Sequence, residues 1–206
     1  MTRKTHLVAR LSFLLAMPAI FFFSSLTAAA AEYTLDKEHS HAGFQVRHMV
    51  SRLQGEFKEI EGEFNFDEKS PQASKGKFTV KAASINTNHE KRDKHLRSAD
   101  FFDVEKFPSL TFETKKITPA GDKKYKLEGD FGLHGVTKPV TFDVEFLGAD
   151  KDPWGGKRAG FTATAKINRK DYGMVWNKVL DSGGFLVGDD VEIVIQVEAI
   201  EKTAKK

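Results

Sequence analysis

Histidine, arginine and the acids around them are the side chains whose spacing in this sequence could carry chemistry. His39-x-His41 would put two imidazoles on one face of a strand, a geometry open to a metal ion. His89 and His95 are six positions apart, so on a helix they fall on different faces and do not form the i, i+4 pair of a zinc helix. Arg92, His95 and Arg97 belong to a dense polar run, residues 87–100, where guanidinium and imidazole groups could meet an anionic or polar head group. Cysteine is absent, which removes thiol nucleophiles, disulfides, thiolate metal sites and lipid attachment through a cysteine. With no placeable Ser-His-Asp set and no Gly-rich phosphate loop, a binding role is expected rather than catalysis, with no cofactor and no resident metal.

The polar run needs an element to hold it. Thr87-x-x-Glu90 has the form of a capping box and predicts a helix over residues 88–99, with Glu90 to Lys94 and Asp93 to Arg97 at the acid-first i, i+4 spacing. Leu96 is its main apolar contact. So polar a helix cannot dock through its own face, so Phe101, Phe102 and Phe107 must seat it as a cap, and Pro108 forces Phe107 to be extended before the next strand.

Around this insert the chain alternates apolar and polar residues with period two, the pattern of strands with one face inward. Phe44, Val46 and His48 form one such stripe, and Phe64 and Phe66, Phe78 and Val80, and Leu110 and Phe112 form others. Tyr125, Leu127, Phe131 and Leu133 share a parity, as do Val140, Phe142, Val144 and Phe146, then Phe161, Ala163, Ala165 and Ile167, and finally Val191, Ile193, Ile195 and Val197. Turn residues separate the runs at Lys69-Ser70-Pro71, Pro119-Ala120-Gly121-Asp122, Asp152-Pro153-Trp154-Gly155-Gly156 and Asp181-Ser182-Gly183-Gly184. Short connections imply antiparallel neighbours, and about eight strands suggest an all-β barrel or a strongly curved sandwich. Such a barrel has an interior that side chains fill or that holds one small ligand. Of the 18 phenylalanines only positions 13, 21, 22 and 23 precede this pattern, so the wall is unusually aromatic. A packed aromatic core and an apolar pocket are both compatible with it.

Residues 1–31 have the layout of a secretory signal: basic Arg3, Lys4 and Arg10, an apolar stretch from Leu11 to Leu26, and the small-residue end Ala28-Ala29-Ala30-Ala31, with cleavage expected after Ala31. This segment has no acid, and without its three cations the excess of 32 Lys+Arg over 29 Asp+Glu disappears. There is then no global electrostatic case for nucleic acid. Residues 32–206 read as a single domain without linker or internal repeat.

The run Asn88-His89-Glu90-Lys91-Arg92-Asp93 through Asp100-Phe101-Phe102, then Phe107-Pro108, Gly129-Asp130-Phe131, His134-Gly135-Val136-Thr137-Lys138-Pro139-Val140 and Asp152-Pro153-Trp154-Gly155-Gly156, resembles the YceI family of bacterial periplasmic proteins over residues 33–200. The resemblance implies an extended, eight-stranded, antiparallel, lipocalin-like β-barrel. It also implies an interior for a long-chain lipid or isoprenoid ligand (polyprenyl phosphate, quinone or fatty amide type), a periplasmic location and an association with stress responses. The stretch Asp171-Tyr172-Gly173-Met174-Val175-Trp176-Asn177 follows one branch of the family, so ligand identity does not carry over between branches. The wall is expected from Phe44, Val46, Phe64, Phe66, Phe78, Phe101, Phe102, Phe112, Phe131, Phe142 and Trp176. Arg92, His95 and Arg97 are the head-group candidates. An outer-membrane barrel would alternate in the same way, but the charged tail from Glu201 and the absence of aromatic girdles favour a protein not embedded in a membrane. Uncovered sheet edges could also support a homodimer.

Overall fold

The computed structural model describes residues 30–202, so all but the last two positions of the expected signal segment lie outside the described residues. The strands, in chain order, are β1 (Ala31–Leu35), β2 (His41–His48), β3 (Ser51–Phe57), β4 (Ile60–Phe66), β5 (Lys75–Lys81), β6 (Ile85–Asn86), β7 (Ser109–Gly121), β8 (Lys124–Leu133), β9 (Val136–Lys151), β10 (Lys157–Asn168) and β11 (Val187–Glu201). A single α-helix among the described residues, α1 (Glu90–Arg97), lies between β6 and β7.

Eight of these strands close a ring in the order β1-β4-β5-β7-β8-β9-β10-β11, with β11 returning to β1 through Tyr33↔Glu201 and Leu35↔Ala199. The fold is an antiparallel β-barrel. Lower on β11, Gln196 to Val187 pair with β2, so β1 and β2 lie end to end along one edge of the same strand. The β2–β3 hairpin prolongs the wall, and β6 adds two residues to it, Asn86 beside Glu56 and Ile85 beside Phe57.

The inward stripes obey the alternation of the sequence. Along β8, Tyr125, Phe131 and Leu133 are buried while Lys124 and Lys126 are exposed. The β8–β9 turn is the two-residue His134-Gly135, both at positive φ (51° and 75°), a conformation that matches strand twist in tight hairpins. Between β9 and β10 the register slips after Gly160↔Gly148, so that Phe161 meets Phe146, and the irregularity bends the wall.

Ring and glycine pair across strands. Phe78 lies opposite Gly62, where an added Cβ would fall 2.4 Å from a ring carbon of Phe78. The large side chain thus covers the neighbouring strand's bare backbone, and neither position tolerates the other's size. One end of the barrel is plugged by aromatic rings: Phe66, Phe146 and Phe161 are mutually 5.1 Å apart, and Tyr125 meets Phe66 edge-on at 6.0 Å.

Charges cover the outer wall. Lys115 pairs with Asp130 (3.1 Å), Lys166 with Asp190 (2.6 Å), and Lys126 with Asp143, all across neighbouring strands. Such pairs contribute little stability each, but they fix which face of the barrel meets water. No helix among the described residues is long and apolar enough to cross a membrane.

Candidate functional site

Inside the ring some inward rings meet, Phe64 reaching Phe161 edge-on at 5.5 Å, but the stripes do not fill the interior. They enclose a cavity of about 280 Å³, which is slender for a small-molecule pocket. Its lining runs along β8 from Tyr125 to Leu133, a span of roughly 27 Å at about 3.4 Å per residue. The aromatic plug of Phe66, Phe161 and Tyr125 forms one end, and Leu96, Phe101 and Met174 contribute near the other.

Every phenylalanine named above as wall, together with Val46, lies around this cavity. Trp176 does not: it packs against His95 (4.9 Å) and Phe101 (5.1 Å), behind the wall. Sequence reading missed Phe57 and Met174, and it read Phe161 and Val191, Ile193, Ile195 and Val197 as strand residues without assigning them to the wall. Their inward parity was the signal that could have found them.

The cap is built differently from the capping-box expectation. The helix starts two residues later than a Thr87 cap requires: His89 is the N-cap, its Nδ1 accepting from the Arg92 N–H at 3.2 Å. Thr87 turns inward, where its N–H (2.9 Å) and hydroxyl both donate to the buried Asp93 carboxylate. Asp93 therefore has no bond to Arg97, and no Glu90–Lys94 pair forms, because burial offered both Asp93 and Arg97 better-oriented partners.

The head-group candidates are likewise occupied. Arg92 donates to the Thr87 hydroxyl (2.7 Å) and carbonyl (2.8 Å), and Arg97 donates to the carbonyls of Ala83 (2.8 Å) and Ile85 (2.7 Å). His95 Nε2 meets the Asp100 carboxylate at 2.8 Å, with its ring edge-on to Phe101. None of the three lines the cavity. The two arginines rivet α1 to the chain segment before it and His95 ties it to the segment after it, while Leu96, Phe101 and Phe102 face the interior, Phe102 meeting Phe57 edge-on at 5.5 Å.

One charged side chain does reach the cavity from a buried position. Arg169 is 3% exposed and donates to the carbonyls of Gly188 (2.9 Å), Met174 (2.6 Å) and Trp176 (2.8 Å) and to Asp189 (3.1 Å). Burial pushes its pKa down, and the neighbouring Asp189 works in the opposite direction. Its donors hold the 173–188 loop in place. No His, Asp or Glu is among the described residues that line the cavity.

The histidine pair proposed from His39-x-His41 is not assembled. His39 Nδ1 meets Asp36 at 3.0 Å and His41 Nδ1 meets Glu56 at 2.9 Å. Asp36, His39 and Glu198 do offer ligand atoms within 4.8 Å of one another. The Arg158 guanidinium, however, already reaches Asp36, Glu198 (2.6 Å) and Asp152 (3.0 Å) and supplies the cation that the cluster needs. A second, open groove of about 1010 Å³ lies outside the barrel between the β2–β3 hairpin and β10–β11, and its lining of Arg47, Arg52, Lys166, Asp190 and Glu192 suits no apolar ligand.

The family model described as a YceI-like domain matches residues 33–199. The Protein YceI of Salmonella arizonae is 44% identical over 187 residues, covering 89% of this chain and 94% of that one. Among solved structures, the Campylobacter jejuni YCEI protein aligns with TM-score 0.67 at 35% identity, covering 83% of this chain and 98% of that one. A polyisoprenoid binding domain from Saccharophagus degradans shares the fold, with TM-score 0.58 at 13% identity over 84% of this chain and 99% of its own length.

Proposed function

Because the chain belongs to the YceI-like family, we propose that it is an exported binding protein holding one long-chain apolar or amphiphilic molecule, of isoprenoid, quinone or fatty amide type, inside its barrel. The observation that carries this reading is the cavity running along β8, walled mostly by aromatic and aliphatic side chains, with no histidine or carboxylate among the described residues of its lining. Burying a chain of methylene or isoprene units there gains about 0.8 kcal/mol per CH₂, enough for tight retention over several units. The polyisoprenoid binding domain from Saccharophagus degradans, of the same fold, supports the same ligand class.

The periplasm is the compartment this reading requires, through a signal segment at residues 1–31. A water-facing barrel fits it, since cross-strand ion pairs such as Lys115–Asp130 on the outer wall would be costly against lipid. The role is that of a carrier or store, not an enzyme. Native purification followed by organic extraction and mass spectrometry tests it: a long apolar molecule should be released in near-stoichiometric amount. Recovery of empty protein with a collapsed, solvent-inaccessible interior would overturn it.

A further inference from the structure

We propose that Ser74 is a hydrogen-bonding subsite at the aromatic end of the cavity, and that it selects a ligand whose buried terminus is uncharged and carries a hydroxyl, carbonyl or amide. This rests on the binding reading above and narrows the ligand class.

Ser74 precedes β5 and continues the inward parity of Gly76, Phe78 and Val80. Its backbone N–H is satisfied by the Pro71 carbonyl at 3.0 Å, which fixes the residue at the end of a short 3-10 turn. The side chain is 6% exposed, and among the described residues its Oγ has no hydrogen-bond partner although it lines the cavity. Burying a hydroxyl without a partner costs free energy, and a group of this kind is rare unless something else completes it. A second hydroxyl residue is close at hand: the register Lys77↔Glu113 sets Thr114, also buried and also lining the cavity, beside Gly76.

Charge decides the class of terminus. A carboxylate or phosphate buried here would need a counter-charge. The one buried guanidinium of the lining, Arg169, already spends its donors on Gly188, Met174, Trp176 and Asp189, and Lys75 beside Ser74 is exposed. A serine hydroxyl can both donate and accept, so it completes an alcohol, a carbonyl or an amide equally well. The ligand's polar end then lies near Phe66 and Tyr125, and its chain runs towards Leu96 and Met174.

The test is competition for a neutral fluorescent probe, N-phenyl-1-naphthylamine, on stripped full-length mature protein, using hexadecanol, hexadecane and palmitate. The wild type should prefer the alcohol over both others. Ser74→Ala should shrink the alcohol-over-hydrocarbon preference by about threefold to tenfold, while Ser74→Thr, which keeps the hydroxyl, retains it. The thermal midpoint of empty Ser74→Ala protein should be unchanged or higher, because an orphaned hydroxyl has been removed. An unchanged preference in Ser74→Ala, or tighter binding of palmitate than of the alcohol, overturns the subsite and leaves the cavity reading intact. Failure of all three compounds to displace the probe from the wild type overturns both.

Discussion

Arginine shows how residue type and residue role separate in this protein. Arg92, Arg97 and Arg169 have the planar fork suited to anions, yet each spends donors on backbone carbonyls of neighbouring segments. Arg158 alone gathers carboxylates, from β1–β2, β9–β10 and β11 at once. Its pKa is raised well above the ordinary value, first by Asp36, then by Asp152 and Glu198. For Asp36, burial acts to raise the pKa, but the hydrogen bonds from Arg158, His39 and the Glu38 N–H outweigh it and hold the carboxyl far below its usual range. The folded value lies below the unfolded one, so the stabilisation is fully present above about pH 4 and is lost as pH falls through the depressed folded value. Arg158→Met should therefore lower the urea midpoint at neutral pH and flatten the acid limb of stability against pH, a titration followed by tryptophan fluorescence. The arginine was visible in the sequence. Asp152 lies in the same turn, but Asp36 and Glu198 were not connected to it by any local spacing.

At the scale of elements, the insert between β6 and β7 is a cap whose polar residues face its own leading segment and whose apolar residues face the cavity. Leu96 on α1 and Phe101 and Phe102 beyond it complete the interior surface. Phe101 is 8% exposed and meets both His95 and Trp176. Phe101→Ala should cost about 3 kcal/mol of global stability and should accelerate hydrogen exchange across residues 88–107 more than in β7 to β11. Uniform acceleration throughout the barrel would show that the cap and the wall unfold as one unit. The existence of this helix was legible from the capping-box pattern and the acid-first i, i+4 spacing of its charges. Its start was not, because Thr87 matched the capping-box pattern equally well, and only the burial of Asp93 drew the threonine inward and left His89 to cap.

For the whole molecule, closure is the decisive step. β1 is five residues long and joins β4 on one side to β11 on the other, so without it the ring is open. Cleavage after Ala31 would leave Glu32 as first residue, its carbonyl still accepting from the Lys202 N–H at 2.7 Å, with the Tyr33↔Glu201 pair intact. The intact mass of protein isolated from the periplasm should therefore correspond to a chain beginning at Glu32, and a mass retaining the first 31 residues would reject the signal reading. Period-two alternation is a local property of the chain, so the inward faces of β2, β4, β5 and β7 to β11 and the polar insert were legible in the sequence, whereas β1, β3 and β6 were not. Whether inward rings such as Phe64 and Phe161, which meet edge-on at 5.5 Å, would fill the interior or leave a space was decided only by the tertiary structure. The width of the barrel depends on strand tilt, on the irregularity after Gly160 and on the return of β11 to β1, and these join residues far apart in the chain.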